Sequence, residues 1–196
     1  MSLQKIGHTL LLASLALLPT AAFAHPGHDT SGMLAGVMHP ILGWDHLLAM
    51  VAVGMLAVMG RSKPAWQLPL AFVGFMLVGA MLGINGVAIA LVETGILLSL
   101  VVLGGLLAFG RAGYLSVVTL CCALFGMLHG NAHGIELPAG SAAASYISGF
   151  MLATIALHVV GYVLANKCTQ QWQALALRAS GIAIAGTGLV AVFSAA

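Results

Sequence analysis

Six apolar runs, at about 33–59, 68–83, 86–109, 114–129, 142–164 and 175–193, follow one another with only short polar connections between them. A run of about 20 apolar residues, rising 1.5 Å per residue as a helix, crosses the roughly 30 Å hydrocarbon core of a bilayer. Backbone amides in lipid have no water to bond, so each run has to satisfy its own hydrogen bonds as a helix. The expected fold is therefore all-α: a polytopic membrane helical bundle of six transmembrane helices, occupying 33–196. With 61% hydrophobic and 5% charged residues, its outer surface faces lipid, and 196 residues leave no room for a sizeable soluble domain. The formal net charge of +2 comes from scattered basic residues that form no patch, which argues against nucleic-acid binding.

Residues 1–24 have the parts of a secretory signal peptide: Lys5, an apolar stretch from Leu10 to Leu18, and Ala22-Phe23-Ala24 as a small-x-small cleavage site. Cleavage would leave 25–32 as a short periplasmic segment containing His25 and His28. Arg61 and Lys63 follow the first span, Arg111 the third and Lys167 the fifth, whereas the loops after the second and fourth carry no Lys or Arg. The positive-inside rule then makes the charged loops cytoplasmic and puts both mature termini outside. Arg178, near the cytoplasmic start of the last span, is placed to snorkel. Gly104-Gly105 and Gly181-x4-Gly186 suit close helix approach. Cys121, Cys122 and Cys168 read as packing residues, not as a disulfide framework.

Against this background the ionisable residues inside the spans stand out, because they are costly in lipid and mark pathways or sites. His39, Asp45 and His46 interrupt the first run. Read as one helix, that run places His39 roughly 9 Å and His46 roughly 20 Å deep, on a common face seven residues apart. Asp45 points about 100° from His46, so it either reaches a neighbouring helix or fixes a histidine as its partner. Glu93 falls roughly 10 Å into the third span, and His158 lies deep in the fifth, as a packing residue or a late station on a path. At the outer end of the fourth span, His129, His133 and Glu136 share a face if the segment is helical. Asp45, Glu93 and Glu136, the acids of the mature spans, all fall in the outer half beside histidines.

Imidazoles and carboxylates without thiolate suit a borderline divalent ion: Ni²⁺, Co²⁺, Zn²⁺ or Cu²⁺. Methionines such as Met50 and Met55 read as core filler at helical spacing. His25 at a mature N-terminus does not make the three-residue amino-terminal copper site, which needs His at position three and a free amide where Pro26 stands.

The chain resembles the HupE/UreJ proteins, bacterial nickel permease-like membrane proteins associated with hydrogenase and urease systems. The resemblance spans nearly the whole length and is carried by the signal peptide followed by His25-Pro26-Gly27-His28, by His39-x5-Asp45-His46, and by His129-Gly130-x-x-His133-Gly134-x-Glu136. It implies metal-contacting roles for His39, Asp45, His46, His129, His133 and Glu136, with His25, His28, Glu93 and His158 as further candidates for the site or the pathway. It also implies Ni²⁺ as the transported ion and uptake as the direction, with no prosthetic group. The partners expected are the lipid bilayer and the divalent metal ion.

Two other classes compete with a permease. One is a periplasm-facing metal sensor or buffer that passes nothing. The other is an intramembrane zinc hydrolase, suggested by the His129-x3-His133 spacing; it lacks the general base that a His-Glu-x-x-His pattern supplies, since Gly130 occupies that position. The expected protein is not an enzyme. No Gly-x4-Gly-Lys-Ser/Thr loop is present, so the chain does not drive transport by its own ATP hydrolysis.

Overall fold

The computed structural model describes residues 32–59, 65–110, 115–138, 142–167 and 170–195. The signal peptide read at 1–24 lies outside them, as do His25, His28, Arg61, Lys63, Arg111 and Cys168. All regular structure among the described residues is helical: α1 (Met33–Leu42), α2 (Trp44–Leu56) with a short 3-10 turn Ala57–Met59, α3 (Gln67–Ile84), α4 (Val92–Phe109), α5 (Leu115–Ile135), α6 (Ala143–Lys167) and α7 (Gln170–Ala195). Helices α3 to α7 are each long and apolar enough to cross a membrane, and α1 with α2 forms a sixth crossing if the bent pair counts as one span. The chain is thus a multi-pass membrane protein of the expected class.

The first run is not one helix. It bends by 82° between α1 and α2, at Gly43. Pro40 lies inside α1 and has no N–H to continue the ladder. Three residues later Gly43 takes extended dihedrals (φ −75°, ψ 102°), receiving a hydrogen bond from Leu47 N–H and donating one to the His39 carbonyl, 2.9 Å each. Depths counted along a continuous helix, and the common face derived from them, therefore do not apply to His39 and His46.

Two other boundaries differ from the hydropathy reading. Residues 86–91 are not helical; α4 begins at Val92, which puts Glu93 in its first turn, exposed at the helix end instead of roughly 10 Å inside it. Helix α5 continues past His129 to Ile135, because its polar residues turn inward: His129, Asn131 and His133 are fully buried.

Glycine brings the helices together in pairs. A Cβ at Gly126, Gly130 or Gly134 of α5 would collide with the carbonyls of Phe72, Met76 and Ala80 on α3, and one at Gly79 would strike Met127 in return. Likewise Gly36 and Gly54 press against the carbonyls of Tyr146 and His158 on α6, and Gly149 and Gly161 against those of Met33 and Val51. Helix α7 packs on α4 where Gly104 and Gly181 approach each other's backbone. Gly105 and Gly186 have nothing within 4 Å and take no part, contrary to expectation. Arg178 is exposed on α7, and Cys122 is buried in the core, as its packing role requires.

Candidate metal-binding site

Four imidazoles from three helices meet at the bend. His39 occupies the last turn of α1, His46 the first turn of α2, and His129 and His133 successive turns of α5. Ring centroids lie 5.3 Å apart for His39 and His46, 4.6 Å for His39 and His133, and 5.0 Å for His46 with either His133 or His129. The two sequence motifs thus form one cluster. What brings His39 beside His46 is the bend, not a shared helical face.

Hydrogen bonding settles which nitrogens point at the cluster. Asp45 Oδ1 lies 2.8 Å from His46 Nδ1 and also accepts the His46 backbone N–H at 2.8 Å. A carboxylate can only accept, so Nδ1 carries the proton and Nε2 keeps its lone pair. His129 is fixed in the same way: Nδ1 donates to the Phe125 carbonyl at 2.8 Å. Nε2 of both rings, and both nitrogens of His133, are buried without a hydrogen-bond partner among the described residues. Buried polar atoms are nearly always paired, so four unpaired ring nitrogens in one place, three of them acceptors when the rings are neutral, fit a site that receives a cation. Asp45 also stands at the N-terminus of α2, where the helix dipole favours a negative charge.

One nitrogen from each of His39, His46 and His133 lies within 4.8 Å of the others. Two imidazoles on a common ion, each bonded near 2 Å, hold their nitrogens at most about 4 Å apart. Closure on an ion thus needs movements of about an ångström, within the reach of side-chain torsions.

Exposure falls steadily through the cluster. Glu136 and His39, joined at 3.3 Å between Oε2 and Nε2, are 47% and 31% exposed at the side chain; His46 is 7% exposed, and His129 and His133 are sealed. Glu136 lies just past α5, its N–H still bonded to the Ala132 carbonyl, so the helical face expected for 129, 133 and 136 is present. Burial, aided by the charge of Glu93, raises the Glu136 carboxyl above its ordinary value of 4.5. Glu93 acts on the site through that field, with no direct contact to the cluster among the described residues.

Several residues around the cluster carried no sequence signal. Phe150 of α6 stacks on His133, centroids 4.4 Å apart and planes within 9°, and Phe72 of α3 lies 5.3 Å from both His129 and His158. These aromatic residues look like any others in an apolar span. Asn131 is the exception: an amide in mid-membrane is a signal in itself. It donates to the carbonyls of Val87 (2.8 Å) and Gly79 (3.3 Å) and accepts from the Ile89 N–H (2.9 Å), tying the irregular segment before α4 to α5 beside the site.

The family model described as HupE / UreJ protein matches residues 12–191 of the chain. A curated relative, Protein HupE of Rhizobium leguminosarum bv. viciae, is 46% identical over 187 residues, covering 93% of this chain and 96% of the relative. No solved structure matches.

Proposed function

Since the chain belongs to the HupE/UreJ family, we propose that it is a permease for a divalent transition-metal ion, Ni²⁺ foremost, mediating uptake across the bacterial inner membrane for the maturation of hydrogenase or urease. The observation that carries this reading is the graded set of donors: an exposed carboxylate and a half-buried imidazole lead to buried imidazoles, with one nitrogen each of His39, His46 and His133 within 4.8 Å of the others. A hydrated cation is attracted to Glu136 at the mouth and exchanges part of its water for His39. It then moves onto His46 and His133, and next to His129. Asp45 orients His46 and compensates the positive charge arriving there, as carboxylates behind metal-bound histidines do. Neutral imidazoles bind a borderline dication without the grip of thiolates, which suits a site that must also let go.

In this reading the mature termini and the mouth of the site are periplasmic, following the distribution of Lys and Arg between loops. The hydrolase alternative has less support: at Gly130, where a general base belongs, a side chain would run into the Met76 carbonyl. The decisive measurement is reconstitution of the full chain into vesicles containing a metal-sensitive dye, with Ni²⁺, Co²⁺, Zn²⁺ and Cu²⁺ offered outside in turn. Entry of Ni²⁺ that is lost in His46→Ala and His133→Ala supports the permease. Tight binding without entry identifies a sensor or buffer instead.

A further inference from the structure

Below the four imidazoles, three helices contribute a second set of buried polar and sulfur atoms on two successive levels. Met50 and Gly54 on α2, Phe72 and Met76 on α3, and Thr154 and His158 on α6 are pairs spaced by four, so each pair shares a helix face one turn apart. Helices α2 and α6 run inward from the site while α3 runs outward, which sets Met50, Met76 and Thr154 on one level and Gly54, Phe72 and His158 on the next. The contacts agree. Thr154 Oγ1 reaches Met50 Sδ at 3.3 Å and Met76 Sδ at 3.7 Å. The His158 ring meets Phe72 edge to face at 5.3 Å, and Gly54 lets α2 close on the His158 carbonyl.

His158 is 2% exposed, and neither ring nitrogen has a hydrogen-bond partner among the described residues. A residue kept only for packing has no need of two desolvated polar atoms, since an aromatic hydrocarbon of similar size fills the same space without them. The sulfurs beside Thr154 are likewise fully buried, and its single hydroxyl proton serves one sulfur at a time. The Phe72 ring lies 5.3 Å from both the His129 and the His158 rings. The group therefore continues from the inner end of the cluster.

We propose that His158, with the sulfurs of Met50 and Met76, forms a second, inner station that takes a divalent transition-metal ion from the four-imidazole cluster past the Phe72 ring. This inference rests on the permease reading. Its donors are all neutral: an imidazole and two thioethers, whose flexible side chains can turn toward an ion. Without a carboxylate partner the ion is held more loosely than beside Asp45 and Glu136, as passage toward the inside requires.

The test is Ni²⁺ stoichiometry on the purified full chain by equilibrium dialysis, with vesicle entry measured in parallel. Wild type is expected to bind two ions per chain, and His158→Phe and the double variant Met50→Leu/Met76→Leu one each, with entry reduced. Met to Leu conserves volume, so the double variant decides the matter if His158→Phe does not fold. Folded variants that retain the wild-type stoichiometry, or a wild-type chain that binds a single ion, overturn the inner station. A wild-type chain that binds two ions but passes none supports the inner site and overturns the permease.

Discussion

Asp45 Oδ1 lies 2.8 Å from His46 Nδ1, and that one contact leaves Nε2 as the His46 nitrogen with a free lone pair. Asp45→Asn keeps the shape but presents an amide that can donate as readily as accept, so the tautomer is no longer held. Loss of an orienting partner of this kind costs about 10–100-fold in metal affinity. Ni²⁺ binding to the purified variant is expected to weaken within that range while the chain stays folded. Unchanged affinity would mean that Asp45 does not orient His46.

Glu136 is expected to set the response of uptake to acid. Its carboxyl titrates above the ordinary value of 4.5, so as external pH falls it is protonated before a free glutamate would be. The negative charge at the mouth then disappears, and protons also compete for the imidazoles behind it. Uptake is expected to fall on the acid side. Glu136→Gln lacks the charge at every pH, so its uptake at neutral pH drops roughly tenfold through lost steering and its acid limb flattens. Superimposable pH profiles of the two proteins would remove Glu136 from the entrance.

The fit of α5 on α3 predicts a contrast between two glycines. Gly130→Ala places a methyl group against the Met76 carbonyl, which neither backbone can vacate cheaply. Overpacking of this sort destabilises by about 1–3 kcal/mol. Gly105→Ala has open space around it and improves helix propensity, so it is expected to be neutral or stabilising. Thermal unfolding in detergent compares the two, and equal midpoints would contradict the assigned contact.

Asn131→Ala would strip the Val87 and Gly79 carbonyls and the Ile89 N–H of their side-chain partner. Leaving such groups unsatisfied costs about 1–3 kcal/mol. The segment before α4 should loosen first, seen as faster amide exchange at Ile89 than in wild type, whereas exchange in α6 stays as it was.

Much of this was legible from residue order. The number and class of the spans follow from hydropathy, and the residues that converge are those whose charge or imidazole made them costly in lipid. What hydropathy could not supply is the backbone geometry. Gly43 and 86–91 are apolar, so a scale of apolarity reads straight through them, although Pro40 and Gly86 were visible as breaking signals. Conversely, the polarity of His129 through Glu136 looked like the end of a span. It is helix as far as Ile135, since His129, Asn131 and His133 turn into the protein interior instead of lipid. His39 and His46 were paired correctly for an incorrect reason: seven residues place two side chains on one face of a straight helix, and here a bend does so. Met50 read as core filler and Thr154 and Met76 carried no signal, because the meeting of the three depends on the register of three helices.

The glycine contacts divide the bundle mechanically. Where backbones touch, two helices cannot slide without collision, so α3 with α5 forms one stiff body and the bent α1–α2 pair with α6 forms another. His129, His133, Phe72 and Met76 belong to the first; His39, His46, Met50 and His158 belong to the second. In the permease reading, donors drawn from both groups close on an ion by movement at the seam between them, where, among the described residues, no glycine contact between the two groups is in the way.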